Sequence, residues 1–201
     1  MRLFYSSAAC SLAPHIALHE AGISFTPEKV NLKDKTWREG DFRKVSPKGY
    51  VPTLQLDNGE IMSECAALMQ YIADLAPAKN LMPKAGDFAR YRCIEWLTFV
   101  STELHKGFGP LWKSGVPEDF KKATTETLRT RFELLDNHFN DHDWLLGKTY
   151  SVADAYLFTV INWSNFLKLD MSMYTALNRF MAWMTERPAV QAALKAEGLL
   201  K

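Results

Sequence analysis

The chain reads as an α/β segment followed by an all-helical one, and three observations predict that division. Residues 1–76 alternate short apolar runs with helical spacing. Two prolines, Pro77 and Pro83, bracket a short stretch after it, and beyond them the apolar spacing is helical throughout. The expected domains are therefore 1–76 and 85–201, with 77–84 as linker.

In order along the chain, Arg2–Tyr5 predicts a strand and Leu12–Ala21 a helix closed by Gly22, followed by a strand over 25–30. That is a βαβ unit. The polar stretch 31–48 is expected to hold a short irregular helix. Strands over 53–56 and 60–63 flank Asp57-Asn-Gly59, a strong hairpin turn. A helix over 64–75 then places Ala67, Leu68, Tyr71, Ile72 and Leu75 on one face. In the second domain, Tyr91, Ile94, Leu97 and Leu104 form one stripe, with Trp96 and Phe99 on other sides. Leu128, Phe132, Leu135 and Phe139 make the buried face of a second helix. Ser151-Val-Ala-Asp154 has the capping-box pattern and opens a nearly all-apolar helix expected at the centre of the bundle. A last helix or pair covers 176–194, interrupted at Arg187-Pro188.

The chain has 201 residues, of which 47% are hydrophobic, enough for a sizeable core. Twenty-four basic against 23 acidic residues leave a formal charge of +1, which argues against nucleic acid or an anionic membrane as partner and for a small molecule. No uninterrupted apolar run of membrane-spanning length and no signal-like N-terminus is present, so a cytoplasmic location is expected. Cys10, Cys65 and Cys93 are an odd number without metal-ligand spacing, which predicts reduced thiols and no metal site.

Cys10 sits where the first strand breaks into the first helix. A helix start stabilises an anion, so a thiol there is activated toward thiolate near neutral pH. The same position also suits a small apolar plug. Val51-Pro52 precedes a strand, where Pro is tolerated in either the cis or the trans form.

Seven segments, taken together and in order, resemble the cytosolic glutathione transferases, specifically the bacterial beta class. They are Leu3-Phe-Tyr-Ser-Ser-Ala-Ala-Cys-Ser-Leu12, Asn31-Leu-Lys-Asp-Lys35, Pro47-Lys-Gly-Tyr-Val-Pro52, Ser63-Glu-Cys-Ala-Ala-Leu-Met-Gln-Tyr71, Ile94-Glu-Trp-Leu97, Glu103-Leu-His-Lys-Gly-Phe108 and Ser151-Val-Ala-Asp-Ala-Tyr-Leu-Phe158. The resemblance implies a thioredoxin-like first domain, a helical second domain, a homodimer and glutathione as co-substrate, with no tightly bound cofactor.

It also implies roles for individual residues. Lys35 would hold the glycine carboxylate, the Val51 backbone the cysteinyl amide, Glu64 the γ-glutamyl ammonium, and the Cys65 N–H the neighbouring carboxylate. Cys10 would lie beside the glutathione sulfur, with His105 as donor or proton acceptor. Thr98, Thr102 and Glu103 would approach glutathione partly across the dimer interface, and Thr98 departs from the asparagine frequent in the class. Trp163 matches the electrophile site, which Phe108, Leu111, Trp112 and Phe166 would border. Read without the resemblance, Lys35 is a solvated lysine, Glu64 a helix-start acid and His105 a structural histidine.

Two chemistries then compete for Cys10, and both are expected: transfer of glutathione to hydrophobic electrophiles as the main activity, with thiol-disulfide or peroxidase chemistry through Cys10 as a side activity. Position 13 is Ala, so no second thiol sits in Cys-x-x-Cys spacing. Tyr5 and Ser11 offer hydroxyls that could replace the thiol. A non-enzymatic interaction module on the same fold is the alternative function.

Overall fold

The computed structural model describes residues 1–200. They form two compact units: Met1–Met82 together with the chain from Glu186 onward, and Pro83–Thr185.

In the first unit the strands are β1 (Arg2–Tyr5), β2 (Thr26–Lys29), β3 (Thr36–Trp37), β4 (Gly40–Asp41), β5 (Thr53–Gln55) and β6 (Ile61–Ser63). The main sheet has the order β2-β1-β5-β6, with β1 parallel to β2 and antiparallel to β5. The β5–β6 pair closes through Asp57-Asn-Gly59, as the turn chemistry predicts, with Gly59 at φ 88°. The stretch 31–48 holds the expected short irregular helix as a single 3-10 turn, Phe42–Lys44, and adds the small β3–β4 hairpin, which was not expected. Apolar anchoring fixes this stretch, because Phe42 is fully buried against Phe4 with ring centroids 5.3 Å apart. Trp37 meets the same Phe4 edge-on at 4.9 Å, so the polar residues around these two rings are left to turns.

Helix α1 (Leu12–Ala21) is buried on nearly every side, and Leu12, Ala13, Ile16, Ala17 and Leu18 are all essentially inaccessible. Such a helix needs cover on more than one face. Helix α2 (Cys65–Leu75) supplies part of it through Leu68, Met69 and Ile72. The rest comes from the chain's far end, where α9 (Pro188–Ala196) packs on α1 and buries Val190, Ala193 and Leu194. The expectation of one helical domain over 85–201 is corrected accordingly: from Glu186 onward the chain belongs with the sheet. The break at Arg187-Pro188 is where it leaves the bundle, with Pro188 in the first helical turn where no N–H is required.

The second unit contains α3 (Phe88–Phe99), a π-helical turn over Val100–His105, the short α4 (Lys106–Phe108), a 3-10 turn over Gly109–Trp112, α5 (Glu118–Asp141), α6 (Val152–Ile161), α7 (Trp163–Leu167) and α8 (Thr175–Glu186). Helix α6 is buried at every position, as its apolar run predicts. Its capping box is formed, and Asp154, itself fully buried, accepts from Ser151 N at 2.8 Å, Ser151 Oγ at 3.0 Å and Leu145 N at 2.8 Å. The π-helical turn was not legible in the apolar spacing.

Candidate active site

The loop from Ser6 to Cys10 is held by its own side chains and by the distant C-terminal segment. Ser11 Oγ accepts from Ser6 N at 3.1 Å and lies 3.3 Å from Ser6 O. Ala8, in the left-handed region at φ 62°, donates its N–H to Glu197 Oε2 at 3.0 Å. The other oxygen of Glu197 lies 2.9 Å from His15 Nδ1, with both side chains buried. A non-glycine residue at positive φ is strained and persists where its surroundings fix it. Glu197 supplies that fixing, and no local sequence signal pointed to it.

These contacts also bear on the two hydroxyls that competed with the thiol. Ser11 is fully buried and engaged within its own loop. Tyr5 is almost wholly buried, and its pKa is raised by that burial and further by the Glu197 charge. Neither is disposed to stabilise an anion on a ligand.

Cys10 is half-buried, and its thiol donates to the Val51 carbonyl at 3.3 Å. The Val51-Pro52 peptide is cis. Cys65, the first residue of α2, donates its thiol to the Cys10 carbonyl at 3.4 Å. Cys10, Val51 and Cys65 therefore meet directly.

Glu64 precedes α2 at φ 75°, a second strained non-glycine position. Its Oε1 accepts from Lys48 Nζ at 2.9 Å and from Tyr50 Oη at 2.8 Å. That carboxylate raises the pKa of both donors, in each case chiefly through the hydrogen bond. Lys48 and Tyr50 lie in the segment 47–52, and no local spacing pairs them with Glu64, because the partners are 16 and 14 residues apart. Lys35 is half-buried at φ 61°, and its chain runs beside Gly49. A Cβ at Gly49 would stand 3.8 Å from Lys35 Cδ and 3.4 Å from Arg43 Cγ, while φ 64° there itself favours glycine. The residues named for glutathione in this unit thus border one loop, 46–51, and the start of α2.

In the helical unit, Thr98 Oγ1 donates to Ile94 O at 2.8 Å and Thr102 Oγ1 to Thr98 O at 3.0 Å, so both hydroxyls bond back to their own helix. Glu103 receives two bonds from Arg131, at 3.1 and 2.8 Å. Thr102, Glu103 and His105 all fall in the π-helical turn, a local irregularity frequent at functional sites. His105 Nδ1 shares a 2.7 Å hydrogen bond with the Tyr156 hydroxyl, and the Trp163 ring meets its ring edge-on at 5.0 Å. Phe108 and Trp112 approach Trp163 at 5.7 and 6.1 Å. Phe108 is core, whereas Trp112 and Phe166 are about half exposed. Leu111 is half-buried.

Among the described residues, no group of three or more His, Cys, Asp or Glu side chains is placed to hold a metal ion, and no helix is long and apolar enough to cross a membrane.

Residues 9–75 match the family described as glutathione S-transferase, N-terminal domain, and residues 95–188 match its C-terminal domain. The chain is 44% identical over 200 residues to glutathione S-transferase GstA of Escherichia coli O157:H7, covering 99% of this chain and 100% of the relative. Among solved structures, a sphingomonad glutathione S-transferase complexed with glutathione matches with a TM-score of 0.96 at 43% identity, covering 99% of this chain and 100% of that one. A bacterial beta class glutathione S-transferase from Sphingomonas chungbukensis gives a TM-score of 0.96 at 43% identity over 100% of both chains. Since the likeness runs the length of the chain and both halves of the family pattern occur in order, the protein belongs to the glutathione S-transferase family, in its bacterial beta class.

Proposed function

We propose that the protein transfers reduced glutathione to hydrophobic electrophiles, with Cys10 stabilising the reacting sulfur. The carrying observation is the hydrogen bond from Cys10 Sγ to the Val51 carbonyl, beside the Glu64–Cys65 start of α2. A thiol held by a backbone carbonyl is one exchange from a different acceptor. When the cysteinyl amide of glutathione pairs with the Val51 backbone as an added strand, that carbonyl is taken and the Cys10 hydrogen turns to the glutathione sulfur.

The remaining groups of the tripeptide have matched partners. Lys35 takes the glycine carboxylate. Glu64 takes the γ-glutamyl ammonium, sharing its oxygens with Lys48 and Tyr50, and the first N–H groups of α2, at Cys65, take the adjacent carboxylate. Pairing at both ends offsets the desolvation of a zwitterionic ligand. His105, oriented by Tyr156, accepts or returns a proton, Trp163 forms an apolar wall for the electrophile, and Thr98, Thr102 and Glu103 complete the polar contacts. The proposal includes a cytoplasmic homodimer acting on small molecules, without nucleic acid, membrane or tightly bound cofactor. Three cysteines without a disulfide suit a reducing compartment.

An assay with glutathione and a haloaromatic electrophile tests this. Cys10→Ala should lower kcat about 100-fold, the scale of losing one donor to a developing anion. Undiminished turnover would show that the thiol is dispensable. Retention on immobilised glutathione with competitive elution separates the enzyme from a non-enzymatic module, which would not bind.

A second reading is supported by the partial exposure of Cys10: its thiolate attacks a disulfide and forms a mixed disulfide with glutathione. A reducible adduct at Cys10 after incubation with oxidised glutathione is the expected result.

A further inference from the structure

We propose that Cys65 is the resolving thiol for Cys10, so that the first unit carries a dithiol pair able to reduce disulfides without a second glutathione at the resolving step. This rests on the reading of Cys10 as the thiol that meets glutathione, and goes beyond it. Spacing along the chain argued against a resolving thiol because the third residue after Cys10 is Ala13. The fold brings a thiol in from 55 residues away instead, with Cys65 Sγ 3.4 Å from the Cys10 carbonyl oxygen.

Three features suit Cys65 to the role. Its sulfur already touches the peptide of Cys10. It opens α2, an 11-residue helix whose positive dipole end favours a thiolate there, while Cys10 stands just before α1 under the same influence. Finally, Cys65 is 5% exposed, which withholds it from bulk disulfides but not from a neighbour. The half-buried Cys10 therefore attacks an incoming disulfide first, and the covered Cys65 resolves the mixed disulfide. Cys93 is set apart from this chemistry, because burial pushes its pKa up to about 11.

The steps balance. The Cys10 thiolate attacks one sulfur of glutathione disulfide, forming Cys10–S–S–glutathione and expelling one glutathione thiolate. The Cys65 thiol loses its proton to solvent, and its thiolate attacks the Cys10 sulfur, forming Cys10–S–S–Cys65 and expelling the second glutathione thiolate, which takes up a proton. The protein is oxidised by two electrons and one glutathione disulfide is reduced to two glutathiones. A protein or small-molecule disulfide reacts identically, after which two glutathiones reduce the Cys10–Cys65 bond and leave as glutathione disulfide.

The test is intact-mass and peptide mass spectrometry of the full chain treated with glutathione disulfide, quenched by acid. The wild type should lose two hydrogens and yield a peptide pair joining Cys10 to Cys65, with Cys93 reduced. Cys65→Ser should instead retain a glutathionyl group on Cys10. A wild-type protein that keeps glutathionyl on Cys10 with no Cys10–Cys65 peptide overturns this inference and leaves the reading of Cys10 intact. A wild type in which Cys10 takes neither modification overturns both this inference and the mixed-disulfide reading of Cys10. The wild-type peptide pair decides the matter even if Cys65→Ser fails to fold.

Discussion

At the scale of the residue, Glu64 is fixed through both its side chain and its backbone. One carboxylate oxygen accepts from both Lys48 and Tyr50, and the backbone at φ 75° holds the side chain at the start of α2. Hydrogen bonds to charged groups are worth about 1.5–3 kcal/mol, so Glu64→Gln should raise the KM for glutathione about tenfold or more while kcat changes less. A kcat loss at constant KM would instead place Glu64 in the chemical step. The same substitution removes the charge that lifts the Lys48 pKa, so that pKa should fall when followed by NMR. Cys10, Lys35, Val51 and Glu64 could be singled out from sequence because each lies in a segment that resembles the family pattern. Lys48 and Tyr50 could not, because pairing with Glu64 depends on how the 46–51 loop folds back.

At the scale of the element, the start of α6 and the packing of α1 carry most of the consequence. Asp154 is fully buried and accepts from two backbone N–H groups and one hydroxyl. Asp154→Ala strands these donors, and a cost of about 3 kcal/mol is expected from the lost cap and the unsatisfied groups. Urea unfolding should show a lower midpoint with an unchanged slope, and a midpoint within error of wild type would contradict this. The capping box was legible because it is local, four residues from end to end. The cover on α1 was not, since α9 arrives from the other end of the chain and its apolar stripe fits a bundle as well as a sheet. A fragment ending at Met82 should therefore fail to unfold cooperatively, leaving one face of α1 exposed, and adding a peptide from Glu186 onward should restore a transition. Cooperative unfolding of the short fragment alone would remove α9 from this role. The π-helical turn was equally invisible, because apolar spacing over six residues does not distinguish it from an ordinary turn.

At the scale of the whole molecule, two histidines link stability to pH. Burial lowers the pKa of His19, with the neighbouring His15 adding to the effect. Burial also lowers that of His138, aided by His142 and opposed by hydrogen bonds to the Trp144 and Leu145 backbone. The unfolded chain thus binds more protons than the folded one as pH drops below the ordinary histidine value of about 6.5, so stability is full above that value and declines below it. Tm should fall between about pH 7.5 and pH 5.5, and the double variant His19→Gln, His138→Gln should flatten the slope. A Tm that holds or rises on acidification would contradict the assignment. Beyond stability, the proposed transfer requires the first unit to grip both ends of a tripeptide around Cys10 and Val51. Calorimetric titration of the full chain with reduced glutathione tests this most directly. Wild type should take up one equivalent per chain, and Lys35→Met combined with Glu64→Gln should weaken that binding about 100-fold, the scale of two charge-assisted bonds. Equal affinity in the two proteins would contradict the account.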